Sequence, residues 1–275
     1  RDVDLCLRWG FGMQQGPFEL WQEAGWLEVA KMIQEDIDAG KALSKAPLPE
    51  WVFKGPVAEA GGVHTAQGSW SASANKFIAR RALPVYEKQH FPEKLLGETL
   101  PDFKTAGKTL HEDDAIRLWT LDDEVLIASI KTKMHAISPD VCEGLNLAVE
   151  MAEKDFRGVV VWSGNEPFSV GADLQAMLPA FMVAGVSAVE GAEHEMQQTM
   201  LRLRYANVPV VSAIRGMALG GGCELAVHSA RRVVHMESYI GLVEVGVGLV
   251  PGAGGLTYIA RRAAENAETS TGKDL

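Results

Sequence analysis

Two textures divide the chain. Over residues 1–90, apolar positions recur at helical spacing between long turns. After residue 111, short runs of consecutive aliphatic residues alternate with helical stretches. In the first texture, Gly16-Pro17 stands before Phe18-Glu19-Leu20-Trp21 and reads as a helix start, because the fixed φ of Pro17 suits a first turn. Trp26, Leu27, Ala30, Ile33 and Ile37 then form one apolar helical face, which Gly40 ends. Residues 44–70 are rich in Pro, Gly and Trp, so turns and irregular structure are expected. Residues 73–89 read as helical. Residues 91–107 carry Pro92, Gly97, Pro101 and Gly107 among charges, as a linker does.

In the second texture, Val125 to Ile130 is a short apolar run of the buried-strand kind. Val141, Leu145, Ala148, Val149 and Ala152 give residues 139–154 a helical period. Gly158 to Trp162 is a second strand, ending at Ser163-Gly164-Asn165. Residues 188–205 are helical, residues 208–214 a third strand, and residues 232–235 a fourth. Strands alternating with helices predict an α/β domain built on βα crossovers. No low-complexity tract or internal repeat interrupts the pattern.

Composition narrows the class. The 275 residues are 47% hydrophobic and 23% charged, which allows a sizeable core in one large or two ordinary domains. A net charge of -10 argues against nucleic acid as a main partner, since phosphate binding needs a basic surface. Cys6, Cys142 and Cys223 are odd in number and far apart, with neither disulfide nor metal spacing, so a reduced, cytoplasmic setting is expected. No apolar run reaches the roughly 18 residues of a membrane span. The start at Arg1-Asp2-Val3-Asp4, without Met or leader, reads as cut from something longer.

Three segments carry the chemistry. In Ile214-Arg215-Gly216-Met217-Ala218-Leu219-Gly220-Gly221-Gly222-Cys223-Glu224-Leu225-Ala226, a buried strand feeds a glycine triplet that opens a helix. Bare glycines let a ligand atom approach the free N–H groups of a helix start, as an oxyanion hole requires. A tight helix-packing turn would use the same triplet. In Glu166-Pro167-Phe168-Ser169-Val170-Gly171-Ala172-Asp173-Leu174, Gly171 allows a sharp turn and Ala172 can offer a second N–H. In the run from Ile240 to Gly255, Glu244 stands alone among apolar and glycine residues. A carboxylate there is expected to be partly desolvated with a raised pKa, which suits proton transfer. Gly246-x-Gly248 lacks the spacing and context of a dinucleotide fingerprint. His194 and His228 have no metal-like company, so no metal site is expected.

Together, FSVGADL, GMALGGGCELA and GLVEVGVGLVPGAGG resemble, in that order, the crotonase superfamily and most closely the enoyl-CoA hydratases. The resemblance covers residues 112–256, and the step from Glu224 to Glu244 matches it. It implies a crotonase-like ββα-spiral domain. It further implies that the N–H groups of Ala172 and Gly221 form the oxyanion hole, that Glu224 activates water, and that Glu244 handles the α-proton. Asp173, Leu174 and Gln175 fall where the family contacts CoA. Hydration adds a hydroxyl and a proton, so it calls for two carboxylates; a family member that only moves a double bond can manage with one. Three positions depart from the family pattern: Val243 for a proline, Ala230 for Asp, and His135 for Asn.

Asp2-Val3-Asp4, Trp9-Gly10-Phe11-Gly12 and the 16–21 segment are similar to the all-α carboxyl-terminal domain of 3-hydroxyacyl-CoA dehydrogenases, over residues 1–86. The expected organisation is therefore a helical domain at 1–90, a linker at 91–111, and a crotonase-like α/β domain at 112–275, short at its carboxyl end after a polar tail at 265–274. The expected activity is hydration of a trans-2-enoyl-CoA within a bifunctional hydratase/dehydrogenase of fatty-acid β-oxidation. A Δ3-Δ2-enoyl-CoA isomerase is one alternative, and a CoA-thioester-binding or assembly fragment without turnover is another. The acyl-CoA is substrate, and the hydratase step needs no cofactor. NAD belongs only to a dehydrogenase part absent from this sequence. The full-length protein is expected to be a homo-oligomer.

Overall fold

The computed structural model describes residues 1–269 and divides into two compact units, Arg1–Lys104 and the chain from Thr105 onward. The first unit holds α1 (Asp2–Phe11), α2 (Pro17–Glu23), α3 (Trp26–Asp38), α4 (Glu50–Phe53) and α5 (Pro56–Ala60). A small sheet follows, β1 (His64–Thr65), β2 (Gly68–Ser71) and β3 (Lys76–Ile78), and then α6 (Pro84–Glu87). The expected helix start at Pro17 is present, and Glu19 caps it by accepting from the Gly16 amide at 2.9 Å. Trp26 and Ala30 are buried at the centre of the unit. Trp21 stacks on Trp26 with ring centroids 4.3 Å apart, and the Trp26 indole donates to the Val52 carbonyl at 2.9 Å.

Residues 73–89 are not one helix. Asn75 adopts a left-handed φ of 51°, and the chain doubles back so that Phe77 pairs with Trp70 across the antiparallel β2–β3 ladder. The two rings meet edge-on at 5.4 Å. Alanine-rich spacing favours a helix locally, but that aromatic contact with a residue outside the segment decides its conformation.

The second unit contains β4 (Lys108–Glu112), β5 (Ile116–Thr120), β6 (Leu126–Ile130), α7 (Pro139–Asp155), β7 (Val159–Val161), α8 (Leu174–Ala184) and α9 (Val186–Arg204). It continues with β8 (Val210–Ile214), β9 (Met217–Leu219), α10 (Gly221–His228), β10 (Arg231–Val234), β11 (Tyr239–Gly241) and α11 (Gly255–Thr269). Short 3-10 turns occur at Lys133–His135 and Glu244–Val247. Six strands form the main sheet in the order β10-β8-β7-β6-β5-β4. The four from β10 to β6 are parallel, and β5 and β4 are antiparallel. Residues 108–111, expected in a linker, are thus part of a strand, and Leu110 packs against the core. The four strands and the two helices read from sequence, at 139–154 and 188–205, are all present. Of the polar tail, the part to Thr269 is helical; the rest lies outside the described residues.

β6, β7 and β8 bury apolar side chains, as parallel strands covered by helices do. Ser138 caps α7 by accepting from the Val141 amide at 3.3 Å, and Pro139 fills the first turn. A second, two-stranded layer pairs β9 with β11. Isolated bridges tie Ser169 to Ala218 and Ile137 to Ala172. This layer gathers the three chemistry-bearing segments.

Candidate active site

The 166–174 segment is held from both sides. Leu219 N–H donates to the Ser169 carbonyl at 3.0 Å, and Ile137 N–H donates to the Gly171 carbonyl at 2.8 Å. The bridge to Ile137 uses the amide of Asp173 and leaves that of Ala172 out. Gly171 sits at φ 96°, a conformation open to glycine but not to side chains with a Cβ. Gly220 N–H donates to the Gly241 carbonyl at 2.9 Å, which ties the glycine triplet to the strand leading into the Glu244 turn.

Each glycine of the triplet has its own reason. Gly220 stands at φ 54°, ψ -123°, which only glycine adopts readily, and a methyl there would lie 3.2 Å from Glu244 Oε1. On Gly221 a methyl would lie 2.4 Å from Met196 Cε and 3.3 Å from the Ala172 amide nitrogen. On Gly222 it would meet the Ser169 carbonyl oxygen at 2.5 Å. The triplet therefore serves both purposes considered for it. Gly222 packs against the Ser169 backbone, while Gly221 brings the first amide of α10, which lacks an intrahelical acceptor, beside that of Ala172.

Ala172, Gly221, Glu224 and Glu244 all line one cavity of about 440 Å³. Its remaining wall includes Leu178, Phe181, Met196 and Val250. Glu224 is buried on the first turn of α10, and its Oε1 accepts from the Gly255 amide at 2.8 Å. Burial pushes its pKa up, the Gly255 amide opposes this, and the nearby carboxylates of Glu244 and Glu193 raise it further. Glu244 opens its 3-10 turn, and its Oε2 is buried without a hydrogen-bond partner. Burial pushes the Cys223 thiol up to about 11, so it stays protonated near neutrality.

The three positions assigned to CoA separate. Leu174 lines the cavity. The Asp173 carboxylate caps α8, accepting from the amides of Gln175 and Ala176 at 3.1 and 3.0 Å. Gln175 is exposed and outside the cavity wall. His135 adopts φ 53°, and its Nδ1 lies 2.5 Å from the Pro167 carbonyl oxygen. Asn and His are both enriched in that left-handed region, so the replacement keeps the loop shape. His228 is buried, with Nδ1 2.7 Å from the Glu224 carbonyl oxygen.

One ionisable wall residue escaped the sequence reading: Glu193, on α9. It shares a helical face with Val189, Met196 and Met200, a spacing visible in the sequence. Among the described residues, no group of three or more His, Cys, Asp or Glu is arranged to hold a metal ion, and no helix is long and apolar enough to cross a membrane.

A mixed six-stranded sheet, with a second small layer carrying amide donors and carboxylates, is an α/β architecture of the crotonase class. An enoyl-CoA hydratase from Polaromonas sp. JS666 shares it, with a TM-score of 0.50 and 25% identity over 56% of this chain and 62% of its own. Residues 125–269, just over half the chain, match the family model for enoyl-CoA hydratase/isomerase, and the chain belongs to that family. A Bacillus subtilis protein named "Probable 3-hydroxyacyl-CoA dehydrogenase" is 28% identical over 92% of this chain and 30% of its own length, a match that reaches into the amino-terminal unit. The peroxisomal bifunctional enzyme of Cavia porcellus is 37% identical over 46% of this chain and 17% of its own. The chain thus spans less than a third of the length of these curated relatives.

Proposed function

We propose that this chain carries an enoyl-CoA hydratase site, which adds water across the trans-2 double bond of an enoyl-CoA to give a 3-hydroxyacyl-CoA. One observation carries the reading: Glu224, Glu244, Ala172 and Gly221 line the same largely apolar cavity. The thioester oxygen would accept from the amides of Ala172 and Gly221. Glu224 would take a proton from water as its oxygen bonds to the β-carbon. The π electrons would move onto the thioester as an enolate, and Glu244 would return a proton to the α-carbon. An α-proton of a thioester is only weakly acidic, so the enolate needs such donors. In a site that excludes water they can supply several kcal/mol. Gly255 holds Glu224 in one orientation, which supports its assignment as the base that directs water. Leu174 at the cavity, with Asp173 and Gln175 beside it, would meet the CoA portion.

A Rickettsia felis relative named "Putative fatty acid oxidation complex trifunctional enzyme", 30% identical over 93% of this chain and 30% of its own length, supports a place in fatty-acid oxidation. We take the dehydrogenase step and its NAD to lie in segments outside this sequence. The hydratase step itself uses no cofactor, and the full-length protein would be a homo-oligomer. Three unpaired thiols suit a reduced, cytoplasmic setting.

The test is to offer the chain a trans-2-enoyl-CoA and follow loss of the conjugated thioester absorbance, with a 3-enoyl-CoA in parallel. Hydration of the first supports the reading. Conversion of the 3-enoyl substrate alone would make the site an isomerase. Binding without turnover would leave a CoA-thioester-binding module.

A further inference from the structure

The cavity wall holds three carboxylates with no cation to offset them. Among the described residues, Glu193, Glu224 and Glu244 are its only polar side chains; every other lining residue is aliphatic, aromatic, Met, Ala or Gly. They arrive from three elements: α9, α10 and the Glu244–Val247 turn. Glu193 reaches the loop before α11, where the lack of a side chain on Gly252 makes room for it. A methyl there would lie 1.8 Å from Glu193 Oε2, a clash. Gln197, one turn further along α9, donates to the Gly252 carbonyl at 2.6 Å and holds helix and loop together. The Oε2 atoms of Glu193 and Glu244 are both buried without a hydrogen-bond partner.

Two orphaned acceptors and three potential charges in an apolar cavity are unfavourable as they stand. A proton on one carboxyl removes a charge and turns an acceptor into a donor. We propose that Glu193 is a third acid–base group of this site. It is a proton-holding carboxyl in the same cavity wall, and it sets how firmly Glu224 holds a proton. Its effect on turnover rests on the hydratase reading; its protonation does not.

The surroundings leave few other groups to account for. Glu224 and Glu244 line the same cavity as Glu193. α8 and the loop at 248–254 contribute no ionisable side chain. On α9 itself, Glu190 and His194 are exposed and Glu195 is half-buried. Burial first, and then the Glu244 charge, push the Glu193 carboxyl above the ordinary range. Protons on interacting carboxyls leave in successive steps that belong to the cluster rather than to one residue. An ionised Glu193 raises the proton affinity of Glu224, the group assigned to take the proton from water.

The experiment titrates glutamate side chains of the 275-residue chain, carrying 13C at the carboxyl, by NMR, with Glu193→Gln used for assignment. The expected result is a Glu193 midpoint above the ordinary glutamate range. In Glu193→Gln, the Glu224 carboxyl should titrate at a lower pH, and the acidic limb of kcat for hydration should move down with it. A Glu193 midpoint in the ordinary range overturns the proposal, as do superimposable pH–rate profiles. If the wild-type chain does not hydrate enoyl-CoA, the hydratase reading fails alone, and the NMR midpoint still decides the protonation of Glu193. If the Gln variant does not fold, the raised carboxyl midpoint in the wild-type titration decides it, and a spectrum with every glutamate in the ordinary range overturns it.

Discussion

The amide of Gly255 donates to Glu224 Oε1 at 2.8 Å, across 31 residues of chain. The first turn of α11 thereby orients a carboxylate on the first turn of α10, and both ends are buried. A methyl on Gly255 would lie 2.9 Å from Glu224 Cγ and 3.0 Å from Oε1, so the side chain would have to turn away. We expect Gly255→Ala to lower kcat for hydration by about 10-fold or more while the chain still folds, because small misplacements of a reacting group are expensive. Steady-state kinetics beside a circular dichroism melt would check this. Unchanged kcat would mean that the Gly255 contact does not set the reactive pose.

Glu224→Gln and Glu244→Gln keep shape and remove the proton-transfer group. Each should slow hydration of a trans-2-enoyl-CoA by about 10²-fold or more. Wild-type rates from either variant would remove that carboxylate from the mechanism.

The neighbouring glycines should separate stability from chemistry. In Gly222→Ala the new methyl meets the backbone carbonyl of Ser169, which cannot swing aside. We expect a loss of about 1–3 kcal/mol in denaturant unfolding. In Gly221→Ala the methyl meets the flexible end of Met196 and stands over the Ala172 amide. That variant should unfold closer to wild type yet hydrate far more slowly. The opposite ranking would show that Gly221 is there for packing alone.

Glu193 and Glu224 both have carboxyls raised above the ordinary range, chiefly by burial. Between the ordinary and raised values the folded chain binds more protons than the unfolded chain, so stability falls as pH rises through that window. It is fullest below the ordinary carboxyl range. Thermal melts of the second unit should therefore drop as pH rises from the ordinary carboxyl range toward neutrality, and Glu224→Gln, which cannot ionise, should drop less. Parallel curves for variant and wild type would contradict the burial of that charge.

The amino-terminal unit should respond in the opposite sense. Asp4 is fully buried, with Oδ2 2.5 Å from His64 Nε2 and Oδ1 accepting from the Phe18 amide at 2.8 Å. Burial alone would raise its pKa, but the His64 ring and the Phe18 amide outweigh burial and hold the carboxyl below its usual range. Its contribution is present above the unfolded value and is lost as pH falls through the folded one. Asp4→Ala strands both donors and should cost about 3 kcal/mol or more in unfolding of this unit. A smaller loss, below about 1 kcal/mol, would mean that water replaces the carboxylate.

Local patterns were sufficient wherever neighbours in sequence are also the partners in space. The apolar runs at 125–130, 158–162 and 208–214 became buried strands. Pro17 opened a helix, and the order of the three glycine-rich segments announced the Glu224–Glu244 pair. Tertiary contact decided the rest. Residues 73–89 have helical spacing, but 76–78 among them form β3 because Phe77 finds Trp70. Residues 108–111 look like a linker but form an edge strand because β5 offers its ladder. Glu193 looks like one more charge among Glu190 and Glu195 on a solvated helix. Only the packing of α9 against Gly252 turns it into the cavity. An amino-acid sequence records each residue's own preferences, whereas the charge state of a buried carboxyl depends on what the fold brings within a few ångströms of it.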